Sequence, residues 1–388
     1  QLQVVHRLFL GTIIIFILCQ TCHHGIIHEK EMKKTQPPSM KNHRPEYNLK
    51  KPEDLHNFRS SILSWYRMHK RDLPWRKSPS LYKTVVSEFM LQQTRVVTVI
   101  PYFENWIRNY PDFLSLAKAS EDEVLKSWEG LGYYSRARNL HNLAKIVSSW
   151  KKVPESMEAW KALPGVGPYI AAAVTSIAFQ KAEAVCDGNL VRVLTRIFSI
   201  TEKFKDGATA QKKLQTTAQS LMDQDHPGDF NQAMMELGAI QCFRQSPICL
   251  TCPVLSFCSS GQAGAAEQFP KLEKKKKKKK SIHRYWIESE KGLLLFSNPR
   301  SKKRLSGIYE LPECMPSSMK NKKGAEKILL TKKRTIGNVD YLEKIIEISN
   351  YTENEIELEC GYRWASRKEI NKLTLSGPHR KWIQEILD

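Results

Sequence analysis

"LPGVGPYIAAAVTSIAF", Leu163 to Phe179, joins two helical patterns through a turn that carries Gly165 and Gly167, and it restarts at Pro168. Proline suits the first turn of a helix because the N–H it lacks is one that the helix leaves unpaired there. The glycines let the backbone approach a ligand closely, and the outward amides of a helix start attract anions. An ordinary helical turn is the alternative reading. In basic surroundings the stretch L-P-G-V-G predicts instead a helix-hairpin-helix that grips a DNA phosphate, with Leu163, Gly165 and Gly167 at the contact.

Those surroundings are strongly basic. In 388 residues, 61 Lys and Arg oppose 40 Asp and Glu, a net charge of +21 that favours a polyanion as partner. No long basic amphipathic helix is evident, which ranks nucleic acid above an acidic membrane. The first residues point elsewhere. "LFLGTIIIFIL" is too short to span a bilayer but long enough for a signal-peptide core, and Cys19, Cys22 and His23 give the C-x-x-C-H spacing of covalent haem attachment. No clear small-residue cleavage site follows and the rest reads as intracellular. Residues 1–51 are therefore taken as an N-terminal extension, disordered or wrongly assigned, with Met32 or Met40 as alternative starts.

From Pro52 to Cys258 amphipathic stretches of about 10 to 15 residues alternate with short breaks such as "YPDF" and "DHPGDF", which predicts an all-α region. "KLEKKKKKKK" then marks residues 261–280 as a solvated linker, because clustered lysines repel and bury no apolar area. Beyond it, "HRYWIES", "GLLLFS" and "YLEKIIEIS" have strand patterns and "GPHRKWIQEILD" a helical one, so residues 281–388 form an α+β domain.

Two carboxylates stand out. Asp187 in "VCDGNLVRVLTRIF" precedes a helix, where Asp is usually a cap. Glu88 lies in the apolar segment "TVVSEFML", where a lone Glu usually sits at a helix edge. Beside them, Cys242, Cys249, Cys252 and Cys258 are spaced C-x6-C-x2-C-x5-C. Two carboxylates, a phosphate-binding hairpin and a cysteine loop form a far more specific set than any one of them.

Together, "SEFMLQQT", "GLGYYSRARNL", "LPGVGPY", "DGNLVRVL", "FNQAMMELGA" and the cysteine loop closely resemble the MutY-type adenine DNA glycosylases of the endonuclease III superfamily, over residues 55 to 260 and more loosely beyond. The resemblance implies an iron–sulfur helical domain from residues 52–78 and 184–260, a six-helix barrel with the hairpin over 79–183, and a Nudix-like domain over 281–388. It makes the four cysteines ligands of one [4Fe–4S] cluster per chain. Zinc modules usually pair two C-x2-C knuckles and only Cys249 and Cys252 form one, while disulfides do not suit an intracellular enzyme. Arg244 on that loop would meet the DNA backbone.

By the same resemblance Glu88 protonates the departing adenine, Asp187 stabilises the sugar cation and Tyr169 supports the transition state. Such a division requires environments that separate the two pKa values, with Glu88 the more desolvated. Bifunctional relatives carry a Lys where Tyr169 stands, so a monofunctional enzyme is implied. Trp75, Arg76 and Gln232 would line the adenine pocket. Gln93 and Tyr133 would fill and wedge the helix, Thr94 would sit beside the opposite base, and Asn189 would join the DNA-binding set. The family's lesion-reading loop runs roughly Phe-Ser-His, and "RTIGNVD" puts Ile336, Gly337 and Asn338 there, leaving Asn338 to read the lesion. No R-E-x-x-E-E metal box is present, so nucleotide hydrolysis is not expected.

The expected partner is double-stranded DNA with an A:8-oxoguanine or A:G mispair. The expected protein is a monomer without stable membrane association, cytosolic in a bacterium and nuclear or organellar in a eukaryote. Its rivals are an endonuclease III-like lyase and a DNA-binding module that has lost catalysis.

Overall fold

The computed structural model of the chain describes residues 49, 51–273, 276–299, 306–319, 325–349 and 357–388. The C-x-x-C-H stretch and almost all of the proposed extension lie outside these residues. So do Lys274 and Lys275 of the lysine tract.

The helical region runs through α1 (Pro52–His69), α2 (Leu81–Leu91), α3 (Val96–Asn109), α4 (Phe113–Lys118), α5 (Glu121–Ser127), α6 (Ser135–Ser148), α7 (Met157–Lys161), α8 (Pro168–Phe179), α9 (Gly188–Ile197), α10 (Gly207–Leu221) and α11 (Pro227–Ile240). Two apolar cores divide it. One joins α1 to α9, α10 and α11 through Phe58, Ile62, Val191, Leu194, Leu214, Phe230 and Leu237. The other gathers α2 to α8 around Trp106, Trp128 and Trp160. The helix α8 serves both, with Ala172 and Ala173 facing the first core and Ile170, Ala171 and Val174 the second. Its small side chains allow that double contact. The segment 79–183, predicted to hold six helices, contains seven; the five-residue α7 is the shortest and leads into the hairpin.

The C-terminal part mixes strands and helices, as its sequence pattern predicts. Strand β3 (Lys278–Trp286) pairs parallel with β8 (Val339–Ser349), which pairs antiparallel with β7 (Ala325–Ile336). A second sheet joins β4 (Glu288–Ser289), β5 (Gly292–Ser297), β6 (Tyr309–Glu310) and β9 (Tyr362–Ala365); the short α12 (Ser259–Gln262) precedes this part, and α13 (Arg367–Lys372) and α14 (Gly377–Leu387) close the chain. Leu293 and Leu295 of β5 enter one core and Leu294 another, so both faces of that strand are buried.

The linker prediction needs correction. Ala266 and Phe269 are buried, β2 (Lys271–Leu272) pairs with β1 (Lys203–Phe204), and Lys278–Lys280 open β3. Buried apolar side chains and ladder hydrogen bonds fix what the charge pattern leaves free, although Lys276–Lys280 stay exposed. No helix among the described residues is long and apolar enough to cross a membrane.

Candidate active site

Helix α2 is capped by Ser80, whose side chain accepts from Lys83 N, and it buries every residue from Thr84 to Met90. Glu88 therefore has no solvent face. It is 6% exposed, and its Oε2 has no hydrogen-bond partner. Burial, reinforced by the Asp187 charge, pushes its pKa up to about 7 against the opposing pull of the Tyr169 hydroxyl and the Arg76 cation.

Asp187 is the N-cap of α9, as its position before the helix suggests. Its Oδ1 accepts from Leu190 N at 2.8 Å and its Oδ2 from Asn189 Nδ2 at 2.9 Å. Burial raises its pKa as well, while these donors and Arg192 pull it back. Both carboxyls are desolvated, so donors rather than burial distinguish them. Asn189, predicted to bind DNA, anchors Asp187 and accepts from Arg192 Nη2 at 3.0 Å.

Both carboxylates line a cavity of about 340 Å³ together with Tyr169, Trp75, Arg76, Gln232, Thr94 and Asn189. Its size lies in the range of small-molecule sites, about 300–1,000 Å³. The Tyr169 hydroxyl lies 3.3 Å from Met235 Sδ, a weak acceptor, and favours the charged form of Glu88. Trp75 packs edge-on against Phe103. Arg76 donates to Gln232 Oε1 at 3.2 Å and to Glu236 Oε2 at 3.0 Å.

Glu236 and Arg71 are the site residues that sequence reading missed. Arg71 Nε and Nη2 grip Glu236 at 2.7 and 2.9 Å. Burial opposes the Glu236 charge, yet the bonds from Arg71 and Arg76 bring its pKa down to about 2. The available signal was a carboxylate inside the apolar run "MMELGA", the same anomaly that marks Glu88.

Residues 86–220 match the model of the HhH-GPD superfamily base excision DNA repair proteins. The chain is 46% identical over 222 residues to the adenine DNA glycosylase of Homo sapiens, across 54% of this chain and 40% of that one. With the adenine DNA glycosylase of Buchnera aphidicola subsp. Acyrthosiphon pisum it is 34% identical over 272 residues, across 66% of this chain and 77% of that one. The chain belongs to the adenine DNA glycosylase family. It spans only 40% of the length of the human relative and 46% of that of the mouse relative. Among solved structures it is similar to a thermostable thymine-DNA glycosylase, at 30% identity and a TM-score of 0.47, over 54% of this chain and 97% of that one.

Outside the cavity, two turns assigned by family resemblance share an unusual backbone. Gln93 and Tyr133 both have left-handed φ, 55° and 49°. Both are exposed, Tyr133 by 54%. Arg136, 6% exposed, ties the turns together. Its Nη1 donates to the carbonyls of Phe89, Met90 and Gln92, and its Nη2 to Leu131 O, Gly132 O and Thr94 Oγ1.

The hairpin forms between α7 and α8. Gly165 has φ 74°, and a Cβ there would lie 2.6 Å from Asn139 Cβ, so glycine is required; a Cβ on Gly167 would meet nothing within 4 Å. The Leu163 side chain is 7% exposed and belongs to the second core, because an apolar side chain at the base of the turn gains more from burial than from solvent.

Cys242, Cys252 and Cys258 pack against the first core, and burial with the neighbouring thiols, Cys249 among them, raises the Cys252 pKa to about 12. Arg196 Nη1 lies 3.2 Å from Cys242 Sγ and Gly261 N 3.3 Å from Cys258 Sγ. Arg196 also binds the carbonyls of Phe243 and Arg244, fixing one arm of the loop and leaving the Arg244 side chain exposed. Among the described residues no three His, Cys, Asp or Glu side chains meet at a point suited to a single metal ion. Four neighbouring thiols with N–H groups already directed at two of them are a donor set that fits an iron–sulfur cluster, whose sulfurs accept such bonds.

Asn338 is exposed and does not line the cavity. With Gly337, φ 60°, it forms the two-residue turn between β7 and β8.

Proposed function

We propose that the chain is a monofunctional adenine DNA glycosylase that hydrolyses the N-glycosidic bond of adenine mispaired with 8-oxoguanine or guanine in double-stranded DNA. One observation carries this reading: Glu88, buried with a free Oε2 and a pKa near 7, faces the same cavity as Asp187. A base inside a duplex is unreachable, so the adenine is flipped into that cavity. Adenine leaves poorly as an anion. Glu88, half-protonated near neutral pH, gives its proton to N7, and the sugar develops oxocarbenium character.

Asp187, kept charged by the amide of Leu190 and by Asn189, lies on the cavity wall to stabilise that cation. Gln232 and Arg76, steadied by Glu236, orient the adenine edge. Gln93 and Tyr133 enter the helix where the base has left, Thr94 sits beside the opposite base, and the amides around Gly165 and Gly167 take a phosphate. Cys242, Cys249, Cys252 and Cys258 hold a [4Fe–4S] cluster that folds the loop carrying Arg244, and residues 281–388 form a Nudix-like domain. Tyr169 offers no amine for a Schiff base, which weighs against the lyase reading.

The test is base release from an A:8-oxoguanine duplex, with and without subsequent alkali. Strand breaks that appear only after alkali support the proposal. Breaks without alkali favour the lyase, and no release in either arm favours a binding module.

A further inference from the structure

The turn that presents Tyr133 is unusual in its backbone. Gly130, Gly132 and Tyr133 all have positive φ, at 105°, 71° and 49°. A non-glycine residue persists there only when its surroundings over-determine the conformation. Within the helical region Trp128 Nε1 and Arg136 Nη2 both donate to Gly132 O, at 3.1 and 3.0 Å, and the Tyr102 hydroxyl donates to Glu129 O at 2.8 Å.

The remaining anchors come from the far end of the chain. Arg380 of α14 donates through Nε to Glu129 Oε1 at 2.5 Å and through Nη2 to Glu129 Oε2 at 3.2 Å, and both side chains are largely buried. The buried Tyr134 hydroxyl donates to Leu375 O at 2.8 Å. Ile308, also from the C-terminal part, is 1% exposed inside the core that holds the turn. Residues on both sides of Tyr133 are therefore bonded to the C-terminal domain, while Tyr133 itself faces solvent.

We propose that Arg380, through its ion pair with Glu129, is a positioning residue for Tyr133, so that the C-terminal domain takes part in extruding the base as well as meeting the opposite strand. This rests on the glycosylase reading and on Tyr133 as the wedge. Arg380 touches no reacting atom. It fixes the first residue of a strained turn whose exposed aromatic must already be in place when the helix opens.

The test uses the full chain with Arg380→Met and, separately, Glu129→Gln, each alone and with Tyr133→Ala. Glu129→Gln removes the charge pair while leaving the Arg380 bonds to Ile370 O and Leu373 O. In the Arg380→Met protein Lys126 still pairs with Glu129, at 2.7 Å, so no bare carboxylate is left behind. The readout is stopped-flow fluorescence of 2-aminopurine placed beside the mispaired adenine, which reports unstacking whether or not the base is cleaved.

With Tyr133 present, each variant slows unstacking about tenfold, because small displacements of a positioned group cost about one to two orders of magnitude. In Tyr133→Ala each adds less than about twofold, since groups acting through one another are not additive. Arg380→Lys, which keeps a cation for Glu129, restores most of the rate. Equal losses in both backgrounds, or no loss in either, overturn the proposal. If the protein unstacks adenine with this coupling but never releases it, the glycosylase reading fails and the positioning role stands.

Discussion

Glu88 and Asp187 border one cavity with opposite hydrogen-bond states: Glu88 Oε2 has no partner, whereas each oxygen of Asp187 accepts a bond. The first carboxyl is suited to carry a proton and the second to remain an anion. Single-turnover adenine release should be steady at acid pH and fall as pH rises through about 7, the Glu88 pKa. Glu88→Gln should keep DNA binding and lower the rate by about a hundred- to ten-thousand-fold, the usual worth of a general acid. A loss below about tenfold would remove Glu88 from that role.

The same carboxyl should cost stability. Its pKa rises from 4.5 unfolded to about 7 folded, so between these values the folded protein binds more protons than the unfolded chain. Stability then falls as pH rises from about 4.5 to 7, relative to a protein without this group. Glu88→Gln should therefore melt later than the unmodified chain at pH 8 and show little difference at pH 4, a gap on the order of 3 kcal/mol. Identical melting differences at both pH values would show that burial does not act on this group.

Tyr169→Lys should place an amine in the cavity beside Glu88 and Asp187. Borohydride should then trap a covalent protein–DNA adduct, and the unmodified chain should trap far less. Strong trapping by the unmodified chain would instead support a lyase.

Part of this site was legible in local patterns. Glu88 breaks a rule as a charge in an apolar helix, whereas Asp187 obeys one as an N-cap and stood out only in company with Glu88, the hairpin and the cysteine loop, and Gly165 is a turn glycine whose φ is indeed positive. Glu236 broke the same rule unnoticed, since its partners Arg71 and Arg76 are far away in sequence and their bonds exist only once α11 packs on α1. That the Leu163 side chain turns inward was not legible, because a motif records spacing and not which side chains are buried. Strand β7, "AEKILLTKKRTI", was missed because it lies at the sheet edge with Lys327 and Lys333 exposed, and only pairing with β8 makes it a strand.

The purified protein should be brown, with about four irons per chain, as thiolate-bound iron–sulfur centres require. Cys252→Ser should lose iron and solubility together, because Cys252 packs against the core shared by α1, α9 and α11. A colourless active protein with one bound zinc would refute the cluster.

The family resemblance would make the turn between β7 and β8 the lesion-reading loop, which gives a test. Ile336 is paired with Val339 in the ladder, Gly337 has no side chain, and the Asn338 carbonyl already accepts from Lys278 N at 2.8 Å. If this turn meets the lesion, the exposed Asn338 amide is the side chain of Ile336–Asn338 that could bond it, against the two polar side chains that the resemblance implies for a Phe-Ser-His loop. A site built on such bonds rejects a base that lacks them, and each bond is worth about 1 to 1.5 kcal/mol. Losing one or two should shrink the preference for A:8-oxoguanine over A:G by roughly ten- to a hundredfold, and Asn338→Ala should lower it further. Cleavage rates on the two mispairs, measured beside such a relative, decide the matter. An equal preference that survives Asn338→Ala would mean that another segment reads the lesion, and the exposed lysines of Lys276–Lys280, whose strand pairs with this hairpin, would be the next residues to replace.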